Sequence, residues 1–457
     1  MQKRTLQFLL QGIGAPLSAD VADTEITDVI TDSRKVVPGC LFVATKGERT
    51  DTHDLLPEIF EKGAVFAVVD HLVEDAPQKK QHLVPHTLQA LISIGANYRN
   101  TFNPVIAGIT GSVGKTTTKE FTYAAISKFG KTLKSIGNKN TEYGMTETLL
   151  NLDETFEYAV IEMGMSAKGD ISLLTKAARP NIALITNIAP VHIKDLGTLE
   201  NILETKLEIC EGLTNGSTIA INKDDELLKN ADIPNHVNVA WYALEDKTAD
   251  VTAQDVEEGE YGQNFTIVDK EHGEHKVYIP TLGHHTLLDA LGAYTLVTRL
   301  GMPAKETAEG LASYEPAGQR QKVVKYKDIT VIEDCYNANI YSMQAGVETL
   351  MHLPGTGKRI AVLGDMLELA DFAEGMHTQV GQMVAEKGVD VLYTFGQDAT
   401  FIHANAAKGG KTKCIHFTSK QELANVLKET TNAGDVVLFK ASRGMQFEDI
   451  IEMFYAE

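Results

Sequence analysis

Length, composition and charge define the broad class of this protein. The chain has 457 residues, too many for one ordinary hydrophobic core, and this length predicts about three domains. Its 43% hydrophobic and 23% charged residues are typical of a soluble globular protein. Its formal net charge of −20 makes nucleic acid and anionic membranes poor partners, because an acidic surface repels their phosphate groups.

Cysteine spacing and the lack of long apolar runs indicate the compartment. The four cysteines are scattered and include no C-x-x-C pair, which argues against a disulfide framework or a zinc site. The apolar stretch within residues 1–16 is too short for a signal peptide, and no apolar run reaches the roughly 18–20 residues that span a bilayer. We therefore expect a cytoplasmic monomer that binds neither nucleic acid nor membrane.

The order of apolar runs predicts an α/β protein of three domains, over residues 1–100, 101–314 and 315–457. From Pro104 onward, apolar runs alternate with helical stretches, which is typical of a parallel sheet covered on both faces. The polar stretch at 248–278 predicts an antiparallel excursion before the third domain. The clearest strand predictions are residues 105–109, 158–162, 182–186, 329–332, 359–364 and 435–439.

A phosphate-binding loop follows the strand predicted at 105–109. Its glycines let backbone N–H groups turn inward, and the following helix N-terminus adds partial positive charge. Lys115 would reach the β- and γ-phosphates of ATP, and Thr116 would hold Mg²⁺. Ile109 stands where the usual Walker spacing has glycine, so the loop is a variant; the alternative is a glycine-rich turn with a solvated lysine. The predicted ATP contacts here are Gly111, Ser112, Val113, Gly114, Lys115, Thr116 and Thr117.

Three further residues are candidates for the chemistry. Glu162 ends the next apolar strand, where open parallel sheets bind ligands, and could coordinate a second Mg²⁺. The alternative is a solvated glutamate at a strand end. His192 follows the strand after that, and the pattern alone does not decide its role. Lys206 lies on a predicted helix, and its pattern alone favours a solvated or ion-paired lysine.

The loop, Glu162, the His192 segment and Lys206 stand in the order shown by the Mur ligases, which this chain resembles. The resemblance implies a central P-loop domain flanked by an N-terminal α/β domain for a UDP-linked substrate and a Rossmann-like C-terminal α/β domain. It implies ATP-dependent condensation of a carboxylate with an amine, with two Mg²⁺ ions. It also implies that Lys206 is carbamylated and becomes a metal ligand beside Thr116 and Glu162.

Within that family, the motifs most resemble the branch that adds D-alanyl-D-alanine to UDP-N-acetylmuramoyl-tripeptide. The N-terminal runs at 31–34 and 46–54 resemble the part of this branch that binds the UDP substrate, and the run at 137–141 resembles its central substrate loop. The substrate-binding residues implied by these runs are Ser33, Arg34, Gly47, Asp51, Asn138, Asn140 and Thr141.

Motifs at 334–339, 363–369 with His377, and 440–445 resemble the C-terminal domain of the same branch. They imply that Asp334 contacts the ATP ribose, while Asn337 and Asn339 lie near nucleotide and acceptor.

Two features depart from the family. Thr286 and Asp289 replace the asparagines of an adenine-side motif, and Gly318-Gln319-Arg320 is one residue longer than the usual glycine-arginine. Arg320 remains a candidate contact of the γ-phosphate.

The expected reaction begins when a peptide carboxylate attacks the γ-phosphate, giving an acyl phosphate that the amine of D-alanyl-D-alanine then attacks. Lys115 and Arg320 would offset the charge of the transferring group. The alternatives are a sibling ligase that adds another amino acid, a folylpolyglutamate-type synthetase, a P-loop ATPase switch and an inactive homologue.

Overall fold

The computed structural model describes residues 1–47, 50–137, 139–191, 193–318 and 320–456. The strands are β1 (Arg4–Thr5), β2 (Glu25–Ile26), β3 (Val29–Ile30), β4 (Leu41–Val43), β5 (Phe66–Val69), β6 (Gln81–Leu83), β7 (Val105–Thr110), β8 (Thr132–Lys134), β9 (Tyr158–Glu162), β10 (Ile182–Ile185), β11 (Thr218–Asn222), β12 (Asn238–Tyr242), β13 (Val251–Glu258), β14 (Gln263–Asp269), β15 (Gly273–Ile279), β16 (Lys322–Tyr326), β17 (Ile329–Glu333), β18 (Arg359–Gly364), β19 (Val391–Phe395), β20 (Lys413–Phe417) and β21 (Val436–Lys440).

The helices are α1 (Leu6–Leu9), α2 (Ala19–Ala22), α3 (Leu56–Glu61), α4 (Thr87–Arg99), α5 (Lys115–Ile126), α6 (Glu142–Leu150), α7 (Asp170–Ala178), α8 (Ile193–Leu196), α9 (Leu199–Leu207), α10 (Glu226–Lys229), α11 (His284–Arg299), α12 (Ala304–Leu311), α13 (Ile340–His352), α14 (Ala373–Lys387), α15 (Ala399–Lys408), α16 (Lys420–Thr430) and α17 (Glu448–Tyr455). None of the helices in the described ranges combines the length and apolar character that crossing a membrane requires.

The central sheet has the strand order β15-β14-β13-β12-β11-β10-β7-β9-β8. Strands β7 to β12 pair in parallel, and β13 to β15 form an antiparallel extension. All four residues of β10 are buried, as expected of a strand covered on both faces. Helices α5 and α11 pack together over one face through Phe121, Leu287 and their neighbours. The prediction of a parallel sheet with an antiparallel excursion is confirmed.

The N-terminal sheet is small and parallel, with the order β3-β4-β5-β6. Helix α4 follows it in sequence but packs against α6 and α7 of the central unit. The Tyr98 hydroxyl donates to the Leu152 carbonyl at 2.9 Å, and Arg99 Nε donates to the Ala178 carbonyl at 2.9 Å. One hydrophobic core therefore runs from the N-terminal strands into the central unit, across the boundary predicted near residue 100.

The C-terminal sheet has the order β16-β17-β21-β18-β19-β20, in which β16 is antiparallel and the others are parallel. Buried residues of α13, α14 and α15 cover one face, and those of α16 and α17 cover the other. Such a doubly wound sheet binds ligands at the carboxyl ends of its strands. The predicted α/β class with a Rossmann-like C-terminal unit is confirmed.

Candidate active site

The phosphate-binding loop connects β7 to α5, and it is hydrogen-bonded to the segment after β10. The Ser112 N–H donates to the Asn187 carbonyl at 2.9 Å, and the Val113 N–H donates to Asn187 Oδ1 at 2.9 Å. These two N–H groups are thus already bonded within the protein. The N-terminus of α5 supplies the remaining N–H groups, because the first turn of a helix has no intrahelical acceptors.

Glu162 lies at the carboxyl end of β9, beside the loop, as the strand-end argument predicts. Its Oε2 accepts a hydrogen bond from Thr116 Oγ1 at 2.9 Å, and its Oε1 accepts one from Asn140 Nδ2 at 2.7 Å. The Lys119 ammonium lies 3.6 Å from Oε2. Glu162 is 1% exposed, so these partners compensate for burial of a carboxylate. Three of the predicted residues, Thr116, Glu162 and Asn140, are therefore in direct contact.

Two lysines of this region interact electrostatically with each other. Lys115 Nζ donates to the carbonyls of Gly111 at 2.7 Å and Ser112 at 3.0 Å. Burial lowers the pKa of Lys115; Glu162 opposes the shift and Arg320 adds to it. Burial also lowers the pKa of Lys206, well below its usual range, and the charge of Lys115 contributes to that shift. Lys206 is 2% exposed, and such burial favours the neutral amine over the ammonium.

The C-terminal unit contributes charged and aromatic side chains to the candidate site. The guanidinium of Arg320 stacks on Tyr336, with Cζ 3.8 Å from the ring centroid. Asp334, after β17, forms a buried ion pair with Lys440 at 2.7 Å. Burial lowers the pKa of His285, at the start of α11, to about 4, although the nearby Asp334 opposes the shift. The start of α11 thus lies beside the carboxyl edge of the C-terminal sheet.

Asp289, which replaces an asparagine of the adenine-side motif, packs against Gly114 of the phosphate-binding loop. Its Oδ1 accepts a hydrogen bond from Thr118 Oγ1 at 3.1 Å. Burial raises its pKa well above the usual range and so favours the protonated, neutral carboxyl. A protonated carboxyl can both donate and accept hydrogen bonds, as an amide can. Asp289 can therefore occupy the asparagine position without introducing a negative charge.

Asp289→Asn should stabilise the protein increasingly as pH rises. Above about pH 4 the unfolded chain releases the Asp289 proton while the folded chain keeps it, so the wild type loses up to about 1.4 kcal/mol per pH unit until the folded pKa is reached. The variant has no such proton. Denaturant unfolding of both proteins from pH 5 to 8 should show a growing difference. The exposed change Asp232→Asn should show none, and a pH-independent loss in Asp289→Asn would contradict a neutral carboxyl.

Gly114 is required at its position by two independent constraints. Its φ is +84°, in the region that favours glycine, and an added Cβ would lie 2.4 Å from Asp289 Oδ1. Gly114→Ala should therefore raise KM for ATP and lower Tm. Gly216→Ala is a matched control, because Gly216 has φ of +83° but open space around it. We expect about 1–2 kcal/mol from backbone strain in the control and a clearly larger loss in Gly114→Ala; equal losses would show that the close approach is unimportant.

The predicted N-terminal residues form a separate group. Ser33 follows β3, and Gly47 and Asp51 follow β4, so they lie at one edge of the parallel N-terminal sheet. Arg34 is 86% exposed and pairs with Asp32. The hydrogen bonds and ion pairs of these residues stay within the N-terminal unit. The structure therefore does not bring these residues to the phosphate loop. Their substrate role stays a prediction.

Asp51 already has a structural task. It accepts hydrogen bonds from the His53 N–H at 3.0 Å and from His53 Nδ1 at 2.7 Å. His53, Asp70 and His71 place three potential metal-ligand atoms within 4.8 Å of one another. The Asp70 N–H donates to His53 Nε2 at 3.3 Å, so both ring nitrogens of His53 already have partners. These hydrogen bonds therefore connect the segment after β4 to the residue that follows β5.

Several other predicted residues sit at helix starts and turns. Asn339 caps α13 in a reciprocal pair with Ser342, and Asn337 Oδ1 accepts from the Ala338 N–H at 2.8 Å. Thr141 is the residue before α6 and makes no side-chain cap. The roles assigned to these residues toward ligands stay predictions. Asn138 and His192 lie outside the described residues.

Sequence reasoning missed Lys119, Tyr336 and Arg443 as members of the site. Lys119 is fully buried and donates to the carbonyls of Ser135 at 2.8 Å and Gly137 at 3.1 Å. It stands four residues after Lys115, on the same helix face, and that spacing could have indicated it. Tyr336 and Arg443 lie in the motifs at 334–339 and 440–445. Only the folded structure shows that Arg443 lies near the Tyr336 ring, with Cζ 5.7 Å from its centroid.

This site joins a phosphate loop, a buried carboxylate and an arginine from a second α/β unit. A family model for the Mur ligase middle domain matches residues 109–297, and one for the Mur ligase glutamate ligase domain matches residues 319–443. The chain belongs to the Mur ligase family. The resemblance that the motifs indicated is confirmed.

Individual relatives indicate the branch of the Mur ligase family that this chain most resembles. The UDP-N-acetylmuramoyl-tripeptide–D-alanyl-D-alanine ligase of Bacillus subtilis (strain 168) is 36% identical, over 99% of this chain and 98% of its own length. A crystal structure of MurF from Acinetobacter baumannii matches with TM-score 0.90 and 28% identity over 100% of both chains. MurF ligase from Thermotoga maritima, solved in complex with ADP, matches with TM-score 0.84 and 29% identity, over 94% of this chain and 97% of that one.

Proposed function

We propose that this protein uses ATP to join D-alanyl-D-alanine to UDP-N-acetylmuramoyl-tripeptide, giving the UDP-linked pentapeptide, ADP and phosphate in peptidoglycan precursor synthesis. The observation that carries the proposal is the electrostatic interaction of Lys115 with Glu162 and with Arg320 of the C-terminal unit, in a chain whose relatives are ligases of this kind.

The residues divide the chemistry as follows. The N–H groups at the start of α5 bind phosphate oxygens, and Lys115 moves from the loop carbonyls to the transferring γ-phosphoryl group. Arg320, whose Cζ lies 3.8 Å from the centroid of the Tyr336 ring, offsets the charge on the same group. The peptide carboxylate attacks the γ-phosphorus and ADP leaves. The amine of the dipeptide then attacks the acyl carbon, and phosphate leaves.

The donor set fits Mg²⁺. The Thr116 hydroxyl and the Glu162 carboxylate lie 2.9 Å apart and face the loop, and Mg²⁺ prefers such hard oxygen ligands beside substrate phosphates. Thr116, Glu162 and a carbamylated Lys206 would hold the metal, which when bound would neutralise negative charge on the phosphoryl oxygens.

Lys206 is suited to carbamylation by its environment. A neutral amine attacks CO₂, forming an N–C bond and releasing a proton, whereas an ammonium has no free electron pair. Burial and the nearby Lys115 both favour the neutral amine. The carbamate then places a negative charge beside Lys115, where an unmodified ammonium would repel it.

The flanking units would bind the two substrates. The carboxyl edge of the N-terminal sheet, with Ser33, Arg34 and Gly47, would take the UDP part of the donor. The carboxyl edge of the C-terminal sheet, near Asp334 and Asn339, would take ribose and acceptor dipeptide, as expected of doubly wound sheets. Closing these edges over the loop would exclude water from the acyl phosphate.

The test is product identity with a panel of amines. The purified chain, Mg-ATP and UDP-N-acetylmuramoyl-tripeptide should give the pentapeptide mass with D-alanyl-D-alanine and no product with glutamate, lysine or L-alanine. Product with a single amino acid instead would assign a sibling ligase. ATP hydrolysis without any product would assign an ATPase switch.

A further inference from the structure

We propose that Arg443 is the residue that selects the free carboxylate of the acceptor dipeptide. This inference rests on the proposed function, because it names how the acceptor of that reaction is recognised. Arg443 follows β21, and Tyr336 follows β17, its parallel neighbour in the sheet. Their loops therefore leave the same edge side by side, at the carboxyl end where a doubly wound sheet binds its ligand.

The Tyr336 ring connects Arg443 to the reaction centre. Arg320 Cζ lies 3.8 Å from the ring centroid and Arg443 Cζ lies 5.7 Å from it. Burial raises the pKa of the Tyr336 phenol, with a further contribution from Glu162. The ring therefore interacts electrostatically with the carboxylate beside the phosphate loop. Both guanidinium carbons lie over or beside one ring, so they are within about 9.5 Å of each other.

That separation suits a dipeptide. Two extended residues span at most about 7 Å, so a dipeptide fits within the distance that separates the two guanidinium carbons at most. An amine placed at the acyl carbon, near Arg320, would carry its own carboxylate toward Arg443. The acceptor has one anionic group, and an arginine fork binds a carboxylate through two parallel hydrogen bonds.

Arg443 has donors to spare for such a ligand. Its side chain is 64% exposed, and its Nη1 is paired with Glu448 in the first turn of α17. A guanidinium has five N–H donors, and this ion pair engages Nη1. In a chain of net charge −20, an exposed arginine supplies a local positive charge that can attract an anion.

The alternative is that Arg443 only anchors α17 through Glu448. The two roles predict different substrate dependence. A structural anchor would affect every acceptor equally, whereas a carboxylate site would matter only for acceptors that carry the charge. D-alanyl-D-alaninamide has the same amine and side chains as D-alanyl-D-alanine but no terminal charge, so it separates the two roles.

The experiment compares wild type, Arg443→Gln, Arg443→Lys and Glu448→Gln with both acceptors. Wild type should prefer the acid over the amide by about 10-fold to 100-fold in kcat/KM, the range expected for a charge-assisted pair. Arg443→Gln should lose most of this preference through a higher KM for the acid, with a much smaller change for the amide. Arg443→Lys should retain part of it, and Glu448→Gln should keep it.

The outcomes separate the hypotheses. Parallel losses for acid and amide in both Arg443→Gln and Glu448→Gln, with equal falls in Tm, would overturn the carboxylate role and leave the anchor. An unchanged preference in Arg443→Gln and Arg443→Lys would overturn it as well. A wild type that is inactive with D-alanyl-D-alanine but active with another amine would instead count against the proposed function. If Arg443→Gln fails to fold, the acid-to-amide ratio of Arg443→Lys decides alone.

Discussion

Lys115→Met should lower kcat by about 10³-fold, the range that follows loss of a charged group acting on a transferring phosphoryl group. Lys115 is held at the phosphate loop by the Gly111 and Ser112 carbonyls, close to Glu162 and Arg320. Methionine fills a similar volume without the charge, so Tm should change little. Steady-state release of phosphate with both substrates saturating measures kcat.

Lys128→Met is the matched control for Lys115→Met. Lys128 lies just beyond the other end of α5 and is exposed, so its loss should leave kcat within about twofold of wild type, as expected for surface changes away from special features. A similar kcat for Lys115→Met and wild type would remove the lysine from the transfer step.

Lys206→Ala should abolish most activity, and short carboxylates such as acetate or formate should restore part of it. The variant leaves a buried space beside Lys115 in which a small anion can replace the carbamate. We expect a loss of about 10²-fold or more, the size associated with losing one electrostatic group of an active site. The measurement is turnover of the variant across a series of carboxylate concentrations.

Two controls make the Lys206 result specific. Lys168→Ala removes an exposed lysine that pairs with Glu204 at 2.8 Å, and it should neither lose activity nor respond to acetate. Wild type freed of CO₂ should lose activity and regain it on addition of bicarbonate. Full turnover by Lys206→Ala without any carboxylate would contradict the carbamate.

Much of the fold was predictable because buried parallel strands leave a direct signature. The four residues of β10 are all apolar and all buried, and β7 and β9 are similar. Glu162 could be placed beside Thr116, 46 positions earlier, because parallel strands bring their carboxyl ends to one edge. The phosphate loop followed from glycine spacing and its strand-to-helix context.

Other features depend on packing between distant segments. Helix α4 joins the core of the central unit through Tyr98 and Arg99, and nothing in its own pattern says which neighbour it packs against. The stacking of Arg320 on Tyr336 arises where the C-terminal unit meets the loop. Asn339 was assigned to substrate, yet its side chain caps α13, a use that the serine three residues later could have indicated.

The most direct measurement of the central claim is the coupling of phosphate release to both substrates. Mg-ATP is incubated with the chain and UDP-N-acetylmuramoyl-tripeptide, with and without D-alanyl-D-alanine, and phosphate and pentapeptide are quantified together. The account predicts slow release without the dipeptide and one phosphate per pentapeptide with it. Release that is equally fast without the dipeptide, or that yields no pentapeptide, would contradict it.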